Sequence, residues 1–322
     1  MRLTNKLVAG KYLHMLNKNH SEFMNTAEKV ASQRKFLSVS EDPAAAMRAF
    51  QVRKSLFRNS VYNTNLTEVQ GRLDEAENTV AIINDICKDA LAQIMQGITG
   101  TSDETARKTV ANTLRSYQTN IMNAANATFS GDYIFGGSTN DVVPFTRDAN
   151  GRLLYKGQNV DTDTFDAEPR FVDIGVGLTL DGSGEVSADS AMNSAFSGAE
   201  LLGTGVDANG ITNNLFNLLG DIADKLESGD LSDFELYSQK FNELADRTRM
   251  NYVSIGEKSN FISYFSERLA DQKLSESKKQ VELEVLTIDQ GAILYSEREL
   301  AYDACLQIGT KILQPSLLDY LR

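Results

Sequence analysis

A long heptad repeat between residues 52 and 94 constrains the fold of this chain more than any other sequence feature. A strict 3.5-residue repeat keeps one seam of a helix facing a partner helix and imposes a left-handed supercoil. At 1.5 Å per residue, the repeat predicts a helix of roughly 65 Å, which is too long to fold back on itself within a globule. The chain must therefore supply antiparallel partner helices. The seam positions are Val52, Ser55, Asn59, Tyr62, Leu66, Val69, Leu73, Ala76, Val80, Ile83, Cys87, Ala90 and Ile94.

Four other heptad runs provide candidate partners, two on each side of the chain's midpoint. Because the runs lie toward both chain ends, the most economical architecture pairs the N-terminal helices antiparallel with the C-terminal ones. The seam positions are Ala9, Leu13, Leu16, His20, Phe23, Ala27 and Val30; Val110, Leu114, Tyr117, Ile121, Ala124 and Thr128; Phe234, Tyr237, Phe241, Leu244, Thr248, Asn251, Ile255, Lys258, Ile262, Phe265 and Leu269; and Leu286, Ile293, Leu300, Ala304, Ile308 and Ile312.

The middle of the chain has a different pattern. Glycine and aspartate become frequent, residues 171–174 and 176–180 alternate in polarity, and Asn150-Gly151 and Asp181-Gly182 indicate turns. The predicted fold class is mainly α: long antiparallel heptad helices from both chain ends form a rod, with a small β-rich inserted domain. We expect the insert to contribute little to the core of the rod. The predicted domains are a terminal helical core of residues 1–49 and 282–322, a helical rod of 50–134 and 212–281, and a β-rich outer domain of 135–211.

Composition excludes several classes of protein. A net charge of −12 argues against nucleic acid as a partner, because phosphate binding requires basic surface. No run of about 18 apolar residues predicts a membrane span. The N-terminal residues lack the apolar segment of a secretory signal peptide, so an exported chain would need another route. Cys87 and Cys305 are too few for a disulfide framework and are predicted to be small core residues.

A search for catalytic, cofactor or metal sites yields no candidate. His14 and His20 are six residues apart, which places them on different faces of one helix. Gly175 and Gly177 lack the third glycine of a dinucleotide-binding loop. The acidic run 161–166 lacks the central glycine and the closing glutamate of a calcium loop. We therefore predict no enzyme activity, no cofactor and no metal.

Several motifs, taken in order, resemble the flagellin superfamily and, within it, the hook–filament junction proteins of the hook-associated protein 3 family. The Asp-Pro-Ala sequence within 38–45 is typical of the junction proteins, whereas flagellins usually have Asp-Ala-Ala. The resemblance has one departure, at 31–35, where the family commonly has a turn containing Ser-Gly. The matching segments are Ser38–Ala45, Gly131–Gly137 followed by Pro144-Phe145, Arg170–Gly177, and Leu313–Leu321.

The resemblance implies a structural protein that is exported without a cleaved signal peptide and belongs to the extracellular flagellum. The implied partners are further copies in a ring-like helical array, the first hook-associated protein, flagellin and an export chaperone, with no nucleic acid and no membrane. The alternatives are flagellin itself and, from another class, an unrelated coiled-coil binding protein or a helical enzyme with an inserted lid. The predicted subunit-packing residues are Leu13, Leu16, Phe23, Val30, Asp42, Pro43, Leu66, Leu73, Val80, Leu300, Ile308, Ile312, Leu317 and Leu318.

Overall fold

The computed structural model describes residues 2–98, 103–139, 141–166, 168–187 and 190–312. It divides into two compact units: unit 1 comprises Met1–Asn59 and Asp271–Arg322, and unit 2 comprises Ser60–Ala270. The described helices are α1 (Arg2–Ser32), α2 (Pro43–Gly97), α3 (Glu104–Ala125), α4 (Gly198–Leu202), α5 (Leu215–Ser228), α6 (Phe234–Glu284) and α7 (Ile288–Ile312). The described strands are β1 (Thr128–Phe129), β2 (Asp132–Tyr133), β3 (Phe145–Arg147), β4 (Leu153–Tyr155), β5 (Gln158–Asn159), β6 (Phe171–Val172) and β7 (Met192–Asn193).

The mainly α fold class is confirmed, with two helices of 55 and 51 residues. Helix α2 begins as the sequence predicts, because the Asp42 carboxylate accepts a hydrogen bond from the Ala45 amide at 2.9 Å and Pro43 occupies the first helical position. The division into three domains with the boundaries given above stays a prediction.

The long heptad seam of α2 forms the centre of the unit 2 core. From Leu66 to Ile94 every predicted seam position is buried, and Ala76, Val80 and Ile83 have no exposed surface. The seam predicted on α6 is also correct, since its apolar members from Phe241 to Leu269 are buried or half-buried. The Gln70 amide donates to the Ser259 hydroxyl at 2.9 Å across the two helices.

The seam of α3 differs from the prediction by one residue in its second half. Gln118 and Ala125 are buried, whereas Tyr117 and Ala124 are only half-buried and Thr128 is exposed in β1. The physical reason is the partner helix α5, which the heptad pattern did not separate from the rest of the C-terminal half. The Gln118 amide donates to the backbone carbonyl of Phe216 at 2.7 Å, so this polar side chain is accommodated in the core.

The inserted segment corrects our expectation that it contributes little to the core. Its described strands, β3 to β7, are only two or three residues long and form two small antiparallel sheets, and the predicted strand at 176–180 is absent apart from a bridge between Leu180 and Val186. The turn at Asn150-Gly151 is confirmed between β3 and β4. Phe135, Phe145 and Tyr155 belong to the same continuous apolar core as the helices. The insert is therefore part of the unit 2 core.

In unit 1, α1 and α7 pack antiparallel, and the turns at their ends are joined by backbone hydrogen bonds. The amide of Lys35 donates to the Glu284 carbonyl and the amide of Leu286 donates to the Gln33 carbonyl, each at 2.9 Å. The Arg53 guanidinium binds the Glu284 carboxylate at 2.7 Å through both of its oxygens, which links α2 to the end of α6.

Candidate assembly surface

Aromatic rings form the contact between α1 and α7. The Phe23 ring stacks on Tyr302 with centroids 5.8 Å apart and lies 5.2 Å from Tyr295. Tyr12 is the one α1 side chain that is fully buried among those described, at 6% exposure. Sequence analysis missed Tyr12, Tyr295 and Tyr302, although the seven-residue spacing of the two α7 tyrosines is itself a heptad spacing.

Small residues on α7 let these rings approach the helix backbone. A side chain added at Gly309 would collide with the Tyr12 ring, and Gly291 lies against Val30 and Leu286. Cys305 is buried between them, as expected for a small core residue. The face that α7 presents to α1 is therefore built from glycine, cysteine and tyrosine rather than from aliphatic residues.

Ion pairs hold the polar edges of this contact. Arg298 on α7 pairs with Glu22 on α1. In the loop after α1, the Glu41 carboxylate accepts hydrogen bonds from Lys29 at 2.9 Å, from the Leu37 amide at 3.2 Å and from the Asn25 side chain at 3.2 Å. The hydrogen bond from Lys29 is the main cause that lowers the pKa of Glu41 below its ordinary value. Glu41 therefore fixes the loop that precedes α2 against α1.

The predicted α7 seam does not face α1, which corrects the sequence analysis. Ile293, Leu300 and Ile308 are 61%, 72% and 45% exposed, on the opposite side of the helix from the tyrosines. Both faces carry a periodic pattern, and α1 packs on the one whose glycines allow close approach of its rings. We call the exposed stripe of Asp289, Ile293, Glu297, Leu300, Ala304 and Ile308 the α7 outer face.

The structure places the other predicted packing residues in three environments. Leu13 is 53% exposed beside the aromatic contact, whereas Leu16, Phe23 and Val30 are half-buried within it. Asp42 and Pro43 start α2, as described above. Leu66, Leu73 and Val80 are buried in the core of unit 2, so their side chains are not exposed to a neighbouring subunit. The structure does not describe the side chain of Ile312, and Leu317 and Leu318 lie outside the described residues.

The motifs considered for chemistry have structural roles. The Asp161 carboxylate accepts hydrogen bonds from Thr212 and, at 2.8 Å, from Asn217, so it is not available to a calcium ion. Gly175 has a φ of +89° and lies against the Tyr62 ring. Burial raises the pKa of the Cys87 thiol to about 12, which keeps it protonated and unreactive. Among the described residues, no group of acidic, histidine and cysteine side chains could hold a metal ion.

Within the described part of the chain, no helix combines the length and the hydrophobicity that crossing a membrane requires. His20 has a packing contact, since its ring lies 5.4 Å from that of Tyr302. The arrangement therefore offers packing surfaces, and the described residues form no constellation suited to catalysis.

Comparison with known proteins agrees with this description. Residues 4–140 match the family model for the bacterial flagellin N-terminal helical region. The chain is similar to flagellar hook-associated protein 3 of Salmonella typhimurium, with 24% identity over 152 residues, and to that of Escherichia coli, with 22% over 149. These alignments cover 47% and 46% of this chain and 48% and 47% of the relatives. The chain thus spans about half the length of the curated relatives it matches.

Solved structures establish the fold. A putative flagellar hook-associated protein from Vibrio parahaemolyticus superposes with a TM-score of 0.61 at 17% identity, covering 76% of this chain and 100% of that one. FlgL from Bacillus cereus gives a TM-score of 0.52 at 17% identity, covering 72% and 99%. Hook-associated protein 3 from Legionella pneumophila gives 0.55 at 11%, covering 72% and 98%.

Proposed function

We propose that this chain, which carries the bacterial flagellin N-terminal helical region and the fold of the hook-associated protein 3 structures, joins the flagellar hook to the flagellin filament. It is a structural component of the flagellum and acts by packing against neighbouring subunits, without catalysis. The proposed neighbours are further copies of this chain, the first hook-associated protein on the hook side and flagellin on the filament side.

The observation that carries this proposal is the exposed apolar surface of unit 1. The α7 outer face presents Ile293 and Leu300 to solvent at 61% and 72%, opposite the face that packs on α1. Burial of an exposed aliphatic side chain of this size contributes about 1.5–3 kcal/mol of transfer free energy, which the free subunit does not gain. Exposed apolar side chains that share one helix face and are bordered by charged ones mark a protein interaction surface. Subunit packing in a tubular array would bury it.

Flagellin remains the second candidate function because the flagellin N-terminal region is present in this chain. The similarity to the hook-associated proteins of two organisms and the Asp42-Pro43 start of α2 favour the junction protein. We further propose export through the flagellar pathway and protection by an export chaperone before assembly, since an exposed apolar face needs a cover in the cytoplasm.

Localisation separates the two candidates. A strain that lacks the gene is complemented with an epitope-tagged chain, and gold-labelled antibody is imaged on intact flagella. A junction protein gives a single labelled band at the base of each filament, whereas a flagellin labels the filament along its length. A strain that keeps its filaments without the chain, or that shows no label on its flagella, contradicts the proposal.

A truncation then tests which part of the chain is needed. We expect a chain that lacks residues 1–40 or 290–322 to keep the unit 2 core, and to fail to restore attached filaments. A truncated chain that restores motility would show that unit 1 is dispensable for joining hook and filament.

A further inference from the structure

The start of α2 carries a second exposed stripe in unit 1. Met47, Phe50 and Phe57 are 63%, 67% and 70% exposed, and Lys54 and Arg58 are exposed between and beside them. At about 100° per residue, these five side chains fall within an arc of about 100° on the helix surface. We call them the α2 stripe. Ala49 and Asn59 on the opposite side of the helix are buried, so the stripe faces away from the chain's own packing.

The α2 stripe is basic in a chain whose net charge is −12. No acidic residue occurs in the sequence between Asp42 and Glu68, whereas four basic ones do. Arg53 is neutralised by Glu284. Lys54 and Arg58 form no ion pair with any side chain in the described ranges. The stripe therefore presents aromatic surface and two cations that have no partner within the described subunit.

The α7 outer face has the opposite charge. Asp289 and Glu297 lie on it beside Ile293 and Leu300, and all four side chains are exposed. Neither carboxylate forms an ion pair with another described side chain; the nearby Arg298 is on the inner face and pairs with Glu22. From Asp289 to Ile308 the face therefore combines aliphatic surface with two anions, which complements the α2 stripe in both charge and chemistry; the exposed Lys311 lies further along the same side of the helix.

We propose that the α2 stripe of one subunit packs against the α7 outer face of a second copy of this chain. The inference rests on the proposed function only in that copies meet side by side in the flagellum. Like faces do not fit each other, because stripe against stripe would oppose Lys54 and Arg58, and outer face against outer face would oppose Asp289 and Glu297. The contact is therefore heterologous, and a heterologous contact repeated by every copy closes into a ring or continues as a helix.

Disulfide trapping tests the contact directly. The double variant Phe50→Cys with Leu300→Cys is expressed in the complemented strain, flagella are isolated and oxidised, and the products are separated under denaturing conditions. We expect a ladder of dimers, trimers and larger oligomers, because each subunit supplies one cysteine to each neighbour. The native Cys87 and Cys305 are buried and stay as they are.

The single variants are the matched controls. Phe50→Cys alone and Leu300→Cys alone are expected to give monomers only. A dimer from either single variant would show that identical faces meet, and a double variant without a ladder would show that these faces do not meet. Either result overturns the proposed contact.

Immunoblotting of the same flagella separates this inference from the proposed function. A chain that is incorporated but gives no ladder overturns the contact and leaves the junction function standing. A chain that is absent from flagella overturns the junction function, and the contact is then decided with the concentrated purified full chain, where a ladder supports it and monomers alone reject it.

Charge reversal provides an independent test of the same pairing. Lys54→Glu with Arg58→Glu, and separately Asp289→Lys with Glu297→Lys, should each abolish filament attachment. The four changes together should restore it, because the opposite charges face each other again. Lys88→Glu, which changes an exposed lysine of unit 2 that pairs with Asp85 on its own helix, is the control and should keep filaments attached. Failure of either reversal to impair attachment, or failure of the combination to restore it, contradicts the contact.

Discussion

At the scale of single residues, Gln33 shows how a turn keeps its geometry without the usual glycine. The amide of Arg34 donates to the Lys29 carbonyl at 3.0 Å and that of Gln33 to the Val30 carbonyl at 3.2 Å, which is the Schellman ending of a helix. Gln33 has a φ of +54°, in the left-handed region that favours glycine. This turn therefore makes its two hydrogen bonds with a glutamine in a backbone conformation that is strained for any residue except glycine.

Replacing this residue should relieve that strain. A non-glycine residue in the left-handed region costs about 1–2 kcal/mol, and glycine returns about 0.5–1 kcal/mol of this through its greater freedom in the unfolded chain. We expect Gln33→Gly to stabilise unit 1 by about 0.5–1 kcal/mol, measured by amide hydrogen exchange in α1 and α7. Gln33→Val, whose branched side chain resists a positive φ, should act in the opposite direction. A glycine variant with lower protection would show that the turn is not strained.

Glu41 makes the stability of unit 1 depend on pH. Its pKa in the folded chain is lowered, chiefly by the hydrogen bond from Lys29, so the carboxylate contributes stability above its ordinary pKa of about 4.3. That contribution is lost as the pH falls through the lowered folded value. We expect Glu41→Gln to reduce protection of the Leu37 amide at pH 7, with the difference from the native chain disappearing once the pH is below the lowered pKa of Glu41 in the folded chain.

The exposed Glu28 of α1 supplies the control, since it forms no ion pair with a described residue. Glu28→Gln should leave the Leu37 amide unchanged at every pH. A Glu41→Gln effect that persists in acid would mean that the carboxylate acts through its shape rather than through its charge.

At the scale of elements, sequence periodicity correctly predicted the long helices. It did not predict the short helix α5 or which face of α7 packs against α1. The seams of α2 and α6 were predictable because, within unit 2, their apolar heptad positions are buried in one continuous core. Helix α5 was missed, although Leu215, Leu218, Leu219 and Ile222 have helical spacing and Asn214 caps its first turn through the Asn217 amide at 3.1 Å. Helix α7 has two faces with a periodic pattern, one aliphatic and one aromatic. Helix α1 packs against the aromatic face because the glycines on that face allow close approach.

The α2 seam should dominate the stability of unit 2. Leu73 is 1% exposed at the centre of the core, so Leu73→Ala removes buried apolar surface and leaves a cavity. We expect it to lower the free energy of unfolding by about 2–5 kcal/mol, measured by urea denaturation followed by circular dichroism. Ile82→Ala on the exposed side of the same helix should change it by less than about 0.5 kcal/mol. Similar effects at both positions would contradict the seam.

At the scale of the whole molecule, the two units differ in how many side chains their long helices bury. Along α2, nine consecutive seam positions from Leu66 to Ile94 are buried, whereas α1 buries only Tyr12 among its described side chains. A helix pair with so small a buried surface is marginal in water. We therefore expect α1 and α7 to become fully ordered only when neighbouring subunits cover their exposed faces.

Hydrogen exchange on the free subunit measures this difference. Amides in 66–94 should exchange through global unfolding of unit 2, and amides in 6–30 and 290–311 should exchange much faster, by local opening. The same terminal amides should become protected in assembled flagella. Equal protection of both regions in the free subunit would show that unit 1 is stable without neighbours.

The pairing of α1 with α7 also sets the order in which the molecule can fold. Glu22 and Arg298, which pair across these helices, are 276 residues apart in sequence, so their contact is among the most non-local of the fold. Closing so long a loop costs conformational entropy, and only the contacts formed afterwards offset that cost. Non-local contacts therefore form late. When the chain is threaded from its N-terminus through a narrow channel, α1 emerges first and waits without a partner until α7 follows. On the proposed export route, the proposed surface of unit 1 for neighbouring subunits is therefore complete only after nearly the whole chain has left the channel.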